Sequence, residues 1–184
     1  AVAGYKQTLG VDAPPCSFED IALADCLLIA GANPAVAHPI VFRRIEDAKA
    51  ANPALKVVVI DPRRSESAEI ADLHLALKPG TDIALFNGIL HVLLAEGLVD
   101  RDYIAAHTEG FAALEVTVAN YPPTVVADIC GLAPSDIVQA ARWFGGAKAA
   151  LSLYCQGLNQ SVHGTHNNAA IIHLHLATGQ IGKP

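Results

Sequence analysis

The stretch Leu27-Leu28-Ile29-Ala30-Gly31-Ala32-Asn33-Pro34 decides the fold, because an apolar run breaks in it abruptly into a glycine-containing polar loop. The uninterrupted apolar residues 26–30 predict a strand that helices cover on both faces. After a loop over 31–37, His38-Pro39 begins a helical pattern that runs to about Ala51. A strand, a loop and a helix start in this order direct backbone N–H groups to one spot outside a sheet edge, where a phosphate is stabilised. Gly and Asn also serve backbone geometry alone in many such turns, so both interpretations stay open.

The composition narrows the class of protein. The chain has 184 residues, of which 52% are hydrophobic and 16% are charged, enough for a substantial core in one domain or slightly more. Its apolar runs are all shorter than the roughly 18 residues that a membrane span requires. The formal net charge of −6 offers no basic surface for nucleic acid. We therefore expect a soluble, cytoplasmic protein that binds neither membranes nor nucleic acid.

Further strands and helices follow the first in alternation. The other predicted strands cover 56–60, 73–77 and 149–155, and the other predicted helices cover 65–71, 82–96, 135–144 and 163–177. Each predicted strand ends in a polar loop. The sequence therefore predicts a three-layer α/β fold with a mostly parallel, Rossmann-like sheet, and a ligand site outside the carboxyl ends of the strands.

The predicted domain organisation has two parts. Residues 1–24 are mixed in character and are expected to enter from a neighbouring domain, whereas 25–184 form the α/β domain. Breaks at Gly110 and Pro122-Pro123 predict a helical insertion of short helices at about 100–131. The chain contains no methionine, even at residue 1, so we expect it to be a piece of a longer protein.

Residue types that often carry catalysis or bind metals form no convincing cluster. No C-x-x-C spacing occurs, and free, buried thiols in a reducing compartment are predicted for the four cysteines, Cys16, Cys26, Cys130 and Cys155. His163 and His166 share a helix face, but no carboxylate or thiolate is placed to complete a tetrahedral zinc set. No serine elbow for nucleophilic catalysis is present. We therefore predict no catalytic residue and no metal ligand in this chain.

The polar loops contain three candidate nucleotide contacts. The glycine loop departs from G-x-G-x-x-G, but Asp61 follows the second strand, where an acidic group accepts hydrogen bonds from ribose hydroxyls. Arg63 would neutralise a phosphate or lie on the surface. The Asp82 carboxylate has two parallel acceptors that match the two adjacent N–H donors of guanine. The alternative role for Asp82 is the N-cap of the following helix.

Taken together, the ordered motifs resemble the molybdopterin oxidoreductases over nearly the whole chain. The motifs are Leu28–Pro34 with His38-Pro39, Asp61-Pro62-Arg63, Lys78-Pro79-Gly80-Thr81-Asp82, and the tract from Gln156-Gly157 to Gly179. Within this superfamily the sequence is most similar to the catalytic subunits of bacterial assimilatory nitrate reductases. Periplasmic nitrate reductases and formate dehydrogenases come next.

The resemblance implies a cofactor, a reaction and a set of binding residues. The cofactor is molybdenum with two molybdopterin guanine dinucleotides, and the reaction reduces nitrate to nitrite by oxygen-atom transfer. The implied contacts are Ala30, Gly31, Ala32, Asn33, Pro34 and Ala37 along one dinucleotide, Asp61, Pro62 and Arg63 around its ribose and phosphates, Gly80, Thr81 and Asp82 at the guanine, and Gln156 with Gln160 on the pterin side.

Two family features are missing from the sequence. The resemblance implies a cysteine cluster for a 4Fe-4S centre and a molybdenum-ligating cysteine, and none of the four cysteines matches either. The parent protein would supply both, together with its remaining domains, and a ferredoxin, a flavodoxin or an NADH-linked subunit would donate electrons. The chain alone is therefore expected to be inactive.

Three other functions remain open at this stage. One is a formate dehydrogenase or another molybdopterin oxidoreductase. A second is a structural or electron-transfer module that keeps this fold without the cofactor, although Asn33, Asp82 and Gln160 argue against it. The third is the central domain of a thiamine-diphosphate enzyme, for which the tract 156–179 is the weakest match.

Overall fold

The computed structural model describes residues 1–183, and a four-stranded sheet organises them. The strands run parallel in the order β3-β2-β1-β4. They are β1 (Cys26–Ala30), β2 (Lys56–Ile60), β3 (Leu73–Leu75) and β4 (Ala150–Tyr154). The predicted α/β class and Rossmann-like sheet are confirmed, with every described strand parallel. Pro184, the last residue of the predicted domain, lies outside the described residues.

Helices make up most of the rest of the chain. In chain order they are α1 (Val2–Leu9), α2 (Pro34–Ala37), α3 (Pro39–Ala51), α4 (Asp82–Ala95), α5 (Arg101–His107), α6 (Phe111–Val118), α7 (Pro123–Cys130), α8 (Pro134–Gly146), α9 (Gln156–Asn159) and α10 (Gly164–Ala177). Two 3-10 helices, Glu19–Ala22 and Glu66–Ile70, complete the set for residues 1–183. None of the helices in this part of the chain is long and apolar enough to cross a membrane.

Strand β1 is an interior strand of the sheet, and its neighbours β2 and β4 pair with it in the same register. Cys26 pairs with Lys56 on one side and with Ala150 on the other, and Ala30 ends level with β2 and β4. Because the strands are parallel, the residues that follow them emerge at the same edge. We call this edge, with the segments 31–33, 61–64, 76–82 and 155–160, the carboxyl edge.

Side chains of β1 alternate between two separate cores. Leu28 and Ala30 face one core, whereas Leu27 and Ile29 face the other, and all four are 0% exposed. Residues of α4, α7, α8 and α10 complete the first core, and residues of α3 and the 3-10 helix Glu19–Ala22 complete the second. The sheet is therefore the middle layer of three, as the sequence predicted.

The segment after β1 differs from the predicted loop. Pro34–Ala37 form the helical turn α2, and α3 begins at Pro39 after a break at His38, whose φ is −139° and ψ is 61°. Both prolines occupy first helical positions, and a residue that precedes proline is kept out of the helical conformation. The chain therefore forms two helices where the sequence predicted a loop and one helix.

The third strand is shorter than predicted. The Leu77 N–H donates to the Leu75 carbonyl (3.0 Å), and the Lys78 N–H donates to the Cys130 carbonyl (2.8 Å). The backbone therefore leaves the sheet at Leu75 and is held by the end of α7. The predicted helix over 65–71 is a 3-10 helix. The remaining predicted strands and helices are confirmed to within one or two residues at each end.

Helix α1 was not predicted, because residues 2–9 carry little apolar periodicity. It packs against α10, and a Cβ at Gly4 would lie 2.5 Å from the Asn168 Cβ, so the two helices meet at a glycine. The predicted insertion consists of α5, α6 and α7, which pack against α10 and α4. The domain boundaries themselves remain a prediction.

Candidate functional site

The loops of the carboxyl edge enclose a cleft of about 330 Å³. The cleft lies where the sheet brings together segments that are distant in the sequence. Gly31, Ala32 and Asn33 line it after β1, Ile60, Asp61 and Pro62 at the end of β2, Leu77, Pro79, Gly80 and Asp82 after β3, and Gly157 after β4. We call this cavity the carboxyl-edge cleft.

Half of the predicted binding residues line this cleft. Those that do are Gly31, Ala32, Asn33, Asp61, Pro62, Gly80 and Asp82. Outside the lining are Ala30, Pro34, Ala37, Arg63, Thr81, Gln156 and Gln160. Ala30 is enclosed within β1 and Pro34 is buried, which explains their absence. Gln156 and Gln160 are exposed beside the cleft, on and just after α9.

Four lining residues were not among the predicted contacts: Ile60, Leu77, Pro79 and Gly157. Pro79 and Gly157 belong to motifs on which the resemblance rests, so both could have been predicted from the sequence. Ile60 and Leu77 are apolar strand-end residues, and nothing in their sequence context separates them from the core.

Two glycines bring the loops after β1 and β4 into contact. The Gly157 N–H donates to the Gly31 carbonyl (2.9 Å), and a Cβ at Gly157 would lie 2.5 Å from the Gly31 Cα. Gly31 also has a φ of +55°, which favours glycine. The backbones of the two loops therefore cross in direct contact at these glycines, and both glycines line the cleft.

Asn33 is hydrogen-bonded to the segment that follows β2. Its Nδ2 donates to Glu66 Oε2 (2.8 Å), and its Oδ1 accepts from Ser67 Oγ (2.7 Å) and, more weakly, from the Ser67 N–H (3.4 Å). Ser67 Oγ in turn accepts from the Ala35 N–H (3.0 Å). These bonds attach the loop after β1 and the first turn of α2 to residues 66 and 67.

Asp61 shapes the second loop through its own backbone. Its Oδ1 accepts a hydrogen bond from the Arg63 N–H (2.8 Å), which forms an Asx turn. One side of the carboxylate is thereby occupied, and the other oxygen is available to a ligand in the cleft. Arg63 and Arg64 take part in none of the salt bridges among residues 1–183, in contrast to the chain's other arginines.

Asp82 is not the helix N-cap that one interpretation predicted. Thr81 is the N-cap of α4 and makes no side-chain cap bond, because its Oγ1 donates to the Lys78 carbonyl (2.6 Å), and Asp82 is the first helical residue. Burial raises the pKa of the Asp82 carboxyl, and the nearby Asp61 charge adds to this increase. A hydrogen bond from its own N–H acts in the opposite direction. The carboxyl thus lies partly desolvated at the cleft, where N–H donors of a ligand would stabilise its charge.

Histidine, cysteine and acidic side chains are the residue types that could ligate a metal or supply thiol chemistry. Among residues 1–183, no group of three or more His, Cys, Asp or Glu side chains could hold a metal ion. All four cysteines are free thiols, but the prediction that they are buried is only partly right. Cys26 and Cys130 are buried, Cys155 is half-buried, and Cys16 is exposed because it lies in the irregular segment before the first 3-10 helix.

A family model for the molybdopterin oxidoreductases matches residues 9–184. The chain belongs to this family. This molybdopterin oxidoreductase domain is 44% identical over its whole length to a nitrate reductase of Synechocystis, and it covers 26% of that protein. It is 43% identical, again over its whole length, to the F420-dependent formate dehydrogenase 1 subunit alpha of Methanococcus maripaludis, of which it covers 27%.

A solved structure shares the fold of this molybdopterin oxidoreductase domain. Acetylene hydratase from Pelobacter acetylenicus superposes with a TM-score of 0.81 at 30% sequence identity, covering 90% of this chain and 22% of that protein. The chain thus spans about a quarter of the length of the relatives it matches. The family implies a molybdopterin cofactor.

Proposed function

We propose that the carboxyl-edge cleft binds a guanine dinucleotide arm of the molybdopterin cofactor. The observation that carries this proposal is the partly desolvated Asp82 carboxyl, which faces a cleft formed by parallel strand ends. A carboxylate in this position is stabilised by a ligand with two adjacent N–H donors, as guanine has. Asp82 would therefore orient the base.

Asp61, which lines the cleft, and Arg63, which lies just outside its lining, would hold the ribose and the phosphates. The free oxygen of Asp61 is available to a ribose hydroxyl, and Arg63, which has no salt-bridge partner within residues 1–183, is available to a phosphate. Gly31 and Gly157, whose backbones pack against each other, would form part of the wall around the ligand. These residues would bind and orient the cofactor, and they would exchange no electrons with it.

We further propose that the full-length protein is a nitrate reductase of nitrate assimilation. When bound, the molybdenum cofactor would supply the two-electron chemistry that converts nitrate to nitrite. The metal-ligating cysteine, a 4Fe-4S cluster and the contacts to a ferredoxin, a flavodoxin or an NADH-linked donor would lie in other parts of a longer cytoplasmic polypeptide. Nitrate reductases of several bacteria support this choice at 43–44% identity.

Formate oxidation is the second candidate, because formate dehydrogenase subunits reach a similar 40–43% identity. To separate the two, the full-length protein would be purified with its cofactor and assayed with viologen dyes. We expect nitrite from nitrate and reduced viologen, and no reduction of oxidised viologen by formate. The isolated chain should produce no nitrite, because it contributes binding residues alone. Formate oxidation without nitrate reduction would overturn the nitrate proposal and leave the cofactor proposal intact.

A further inference from the structure

We infer that Asn33 is a positioning residue, which holds the loop after β1 against Glu66 and Ser67 and so fixes the shape of the carboxyl-edge cleft. The resemblance placed Asn33 among the direct cofactor contacts. This inference rests on the proposed nucleotide site and assigns Asn33, Glu66 and Ser67 a shared role in it.

The orientation of the Asn33 amide follows from its partners. A carboxylate only accepts hydrogen bonds, so the atom 2.8 Å from Glu66 Oε2 is the Nδ2 donor. The Oδ1 therefore faces Ser67, whose hydroxyl and backbone N–H both donate to it. Both acceptor positions of the amide oxygen and one of its two N–H groups are engaged within the protein. One N–H remains for a ligand.

Ser67 extends the connection to the helical turn α2. It is 0% exposed, and its hydroxyl donates to Asn33 while it accepts from the Ala35 N–H. That N–H belongs to the first turn of α2, where helix donors lack partners within the helix. Asn33 makes no side-chain cap bond to this turn. The hydroxyl of Ser67 therefore stabilises α2 from the neighbouring loop.

The connection joins two walls of the cleft. Asn33 follows β1, whereas Asp61 and Pro62 follow β2, and the residues that bind Asn33 come a few positions after them. If the loops were separate, each could move relative to the other, and a ligand would have to order both on binding. Holding them together beforehand lowers this entropic cost and raises affinity.

A pair of complementary substitutions separates positioning from direct contact. Asn33→Asp places two carboxylates against each other and removes the donor to Glu66, so it should weaken the connection. Glu66→Gln alone keeps an acceptor and should have little effect. In the double variant the new amide donates to the new carboxylate, Ser67 can still donate to residue 33, and the net charge equals that of the natural chain. The connection is thus rebuilt with its donor and acceptor exchanged.

Guanosine diphosphate is the probe, with affinity measured by calorimetry and loop order measured by hydrogen exchange of the Ala35 and Ala37 amides without ligand. Asn33→Asp should weaken affinity roughly tenfold and speed exchange of these amides, because a lost charge-assisted hydrogen bond has about that effect. The double variant should regain most of both. Asn52→Asp is the matched control. It adds the same negative charge just before the amino end of β2, far from the carboxyl edge, and its side chain can still accept the hydrogen bond from the Ala54 N–H.

A second variant tests the same connection from its other end. Ser67→Ala should speed exchange at Ala35 and weaken affinity, because it removes both hydroxyl bonds. Ser152→Ala removes a hydroxyl of β4 that is bonded to His175 of α10, and it should change neither property.

Each outcome bears on one claim. Recovery of loop protection without recovery of affinity in the double variant would show that Asn33 contacts the nucleotide itself, and would overturn the inference. Unchanged exchange in both Asn33→Asp and Ser67→Ala would overturn it as well. If the natural chain fails to bind guanosine diphosphate, the proposed function fails, and hydrogen exchange alone then decides whether Asn33 orders the loop.

Discussion

The carboxyl of Asp82 belongs to the first turn of α4 but does not cap the helix. An acid in a first helical turn is stabilised by about 0.3–1 kcal/mol, whereas burial and Asp61 destabilise the charged form and raise its pKa. The two effects oppose each other. Asp82→Asn should therefore change the free energy of unfolding at pH 7 by less than about 1 kcal/mol, as measured by urea denaturation.

Base recognition should respond more strongly to the same substitution. The asparagine amide would oppose the exocyclic amine of guanine with a donor of its own, at a cost on the order of 1–3 kcal/mol. Xanthine has a carbonyl in that place and would accept from the amide. Specificity should therefore shift from guanosine toward xanthosine diphosphate, measured by calorimetry at a pH that keeps xanthine neutral. Asp136→Asn, in the first turn of α8, should leave the ratio unchanged. Equal loss of both ligands would remove the support for guanine binding by Asp82.

His175 makes folding stability depend on pH. Its Nε2 lies 2.7 Å from Ser152 Oγ, its ring packs edge-on to Phe144, and burial lowers its pKa to about 4 from 6.5. Between these values the unfolded chain binds more protons, so stability is complete above about pH 6.5 and is lost as the pH falls toward 4. We expect a loss on the order of 1–3 kcal/mol, seen in urea denaturation at several pH values.

Substitutions on the same helix test this pH dependence. His175→Gln can keep a hydrogen bond to Ser152 but cannot titrate, so its stability should fall less between pH 6.5 and 4. Burial also lowers the pKa of His173, so stability of the His175→Gln variant should still decrease as the pH falls, but less steeply. His166→Gln removes an exposed imidazole and should keep the slope of the natural chain. An undiminished slope in His175→Gln would rule out His175 as its main source.

At the scale of elements, the crossing of the loops after β1 and β4 depends on the absence of side chains. Gly157→Ala would place its Cβ 2.5 Å from the Gly31 Cα, and backbone atoms cannot move aside as a flexible side chain does. We expect a loss of about 1–3 kcal/mol in the free energy of unfolding. Weaker binding of guanosine diphosphate should accompany it, because both glycines line the cleft.

Gly146→Ala is the control for the crossing. Gly146 ends α8, its Cβ would meet nothing within 4 Å, and its φ is not positive. Alanine there should be neutral or stabilising by up to about 1 kcal/mol. Similar stability losses in Gly146→Ala and Gly157→Ala would show that the crossing has no special packing requirement.

At the scale of the whole molecule, the sheet brings all candidate contacts to one edge. Guanosine diphosphate should bind weakly to the isolated chain, because a full cofactor and its neighbouring domains would supply further contacts. Amide chemical shifts on titration should change at Gly31, Asp61 and Gly80, which line the cleft after three different strands. Changes confined to α10 would place the ligand elsewhere and contradict the proposed site.

The sequence by itself determined the class of fold and the order of its elements. The apolar strand stretches, the amphipathic helices and the breaks at glycine and proline are local properties, because burial pattern and backbone preference are set by neighbouring residues. They predicted β1 and β2 with the observed bounds. They also indicated that Gly31, Asp61 and Gly80 meet at one edge, since parallel strands bring their carboxyl ends together.

Only the tertiary structure decided what several of these residues do. Asn33 binds Glu66 and Ser67, Gly157 crosses Gly31, and the half-buried carboxyl of Asp82 lies near Asp61 without capping its helix. Each of these relations joins segments that are distant in the sequence, so it depends on how the strands pair and how far the chain turns after each one. Local patterns do not contain that information, because packing between separate elements sets these distances.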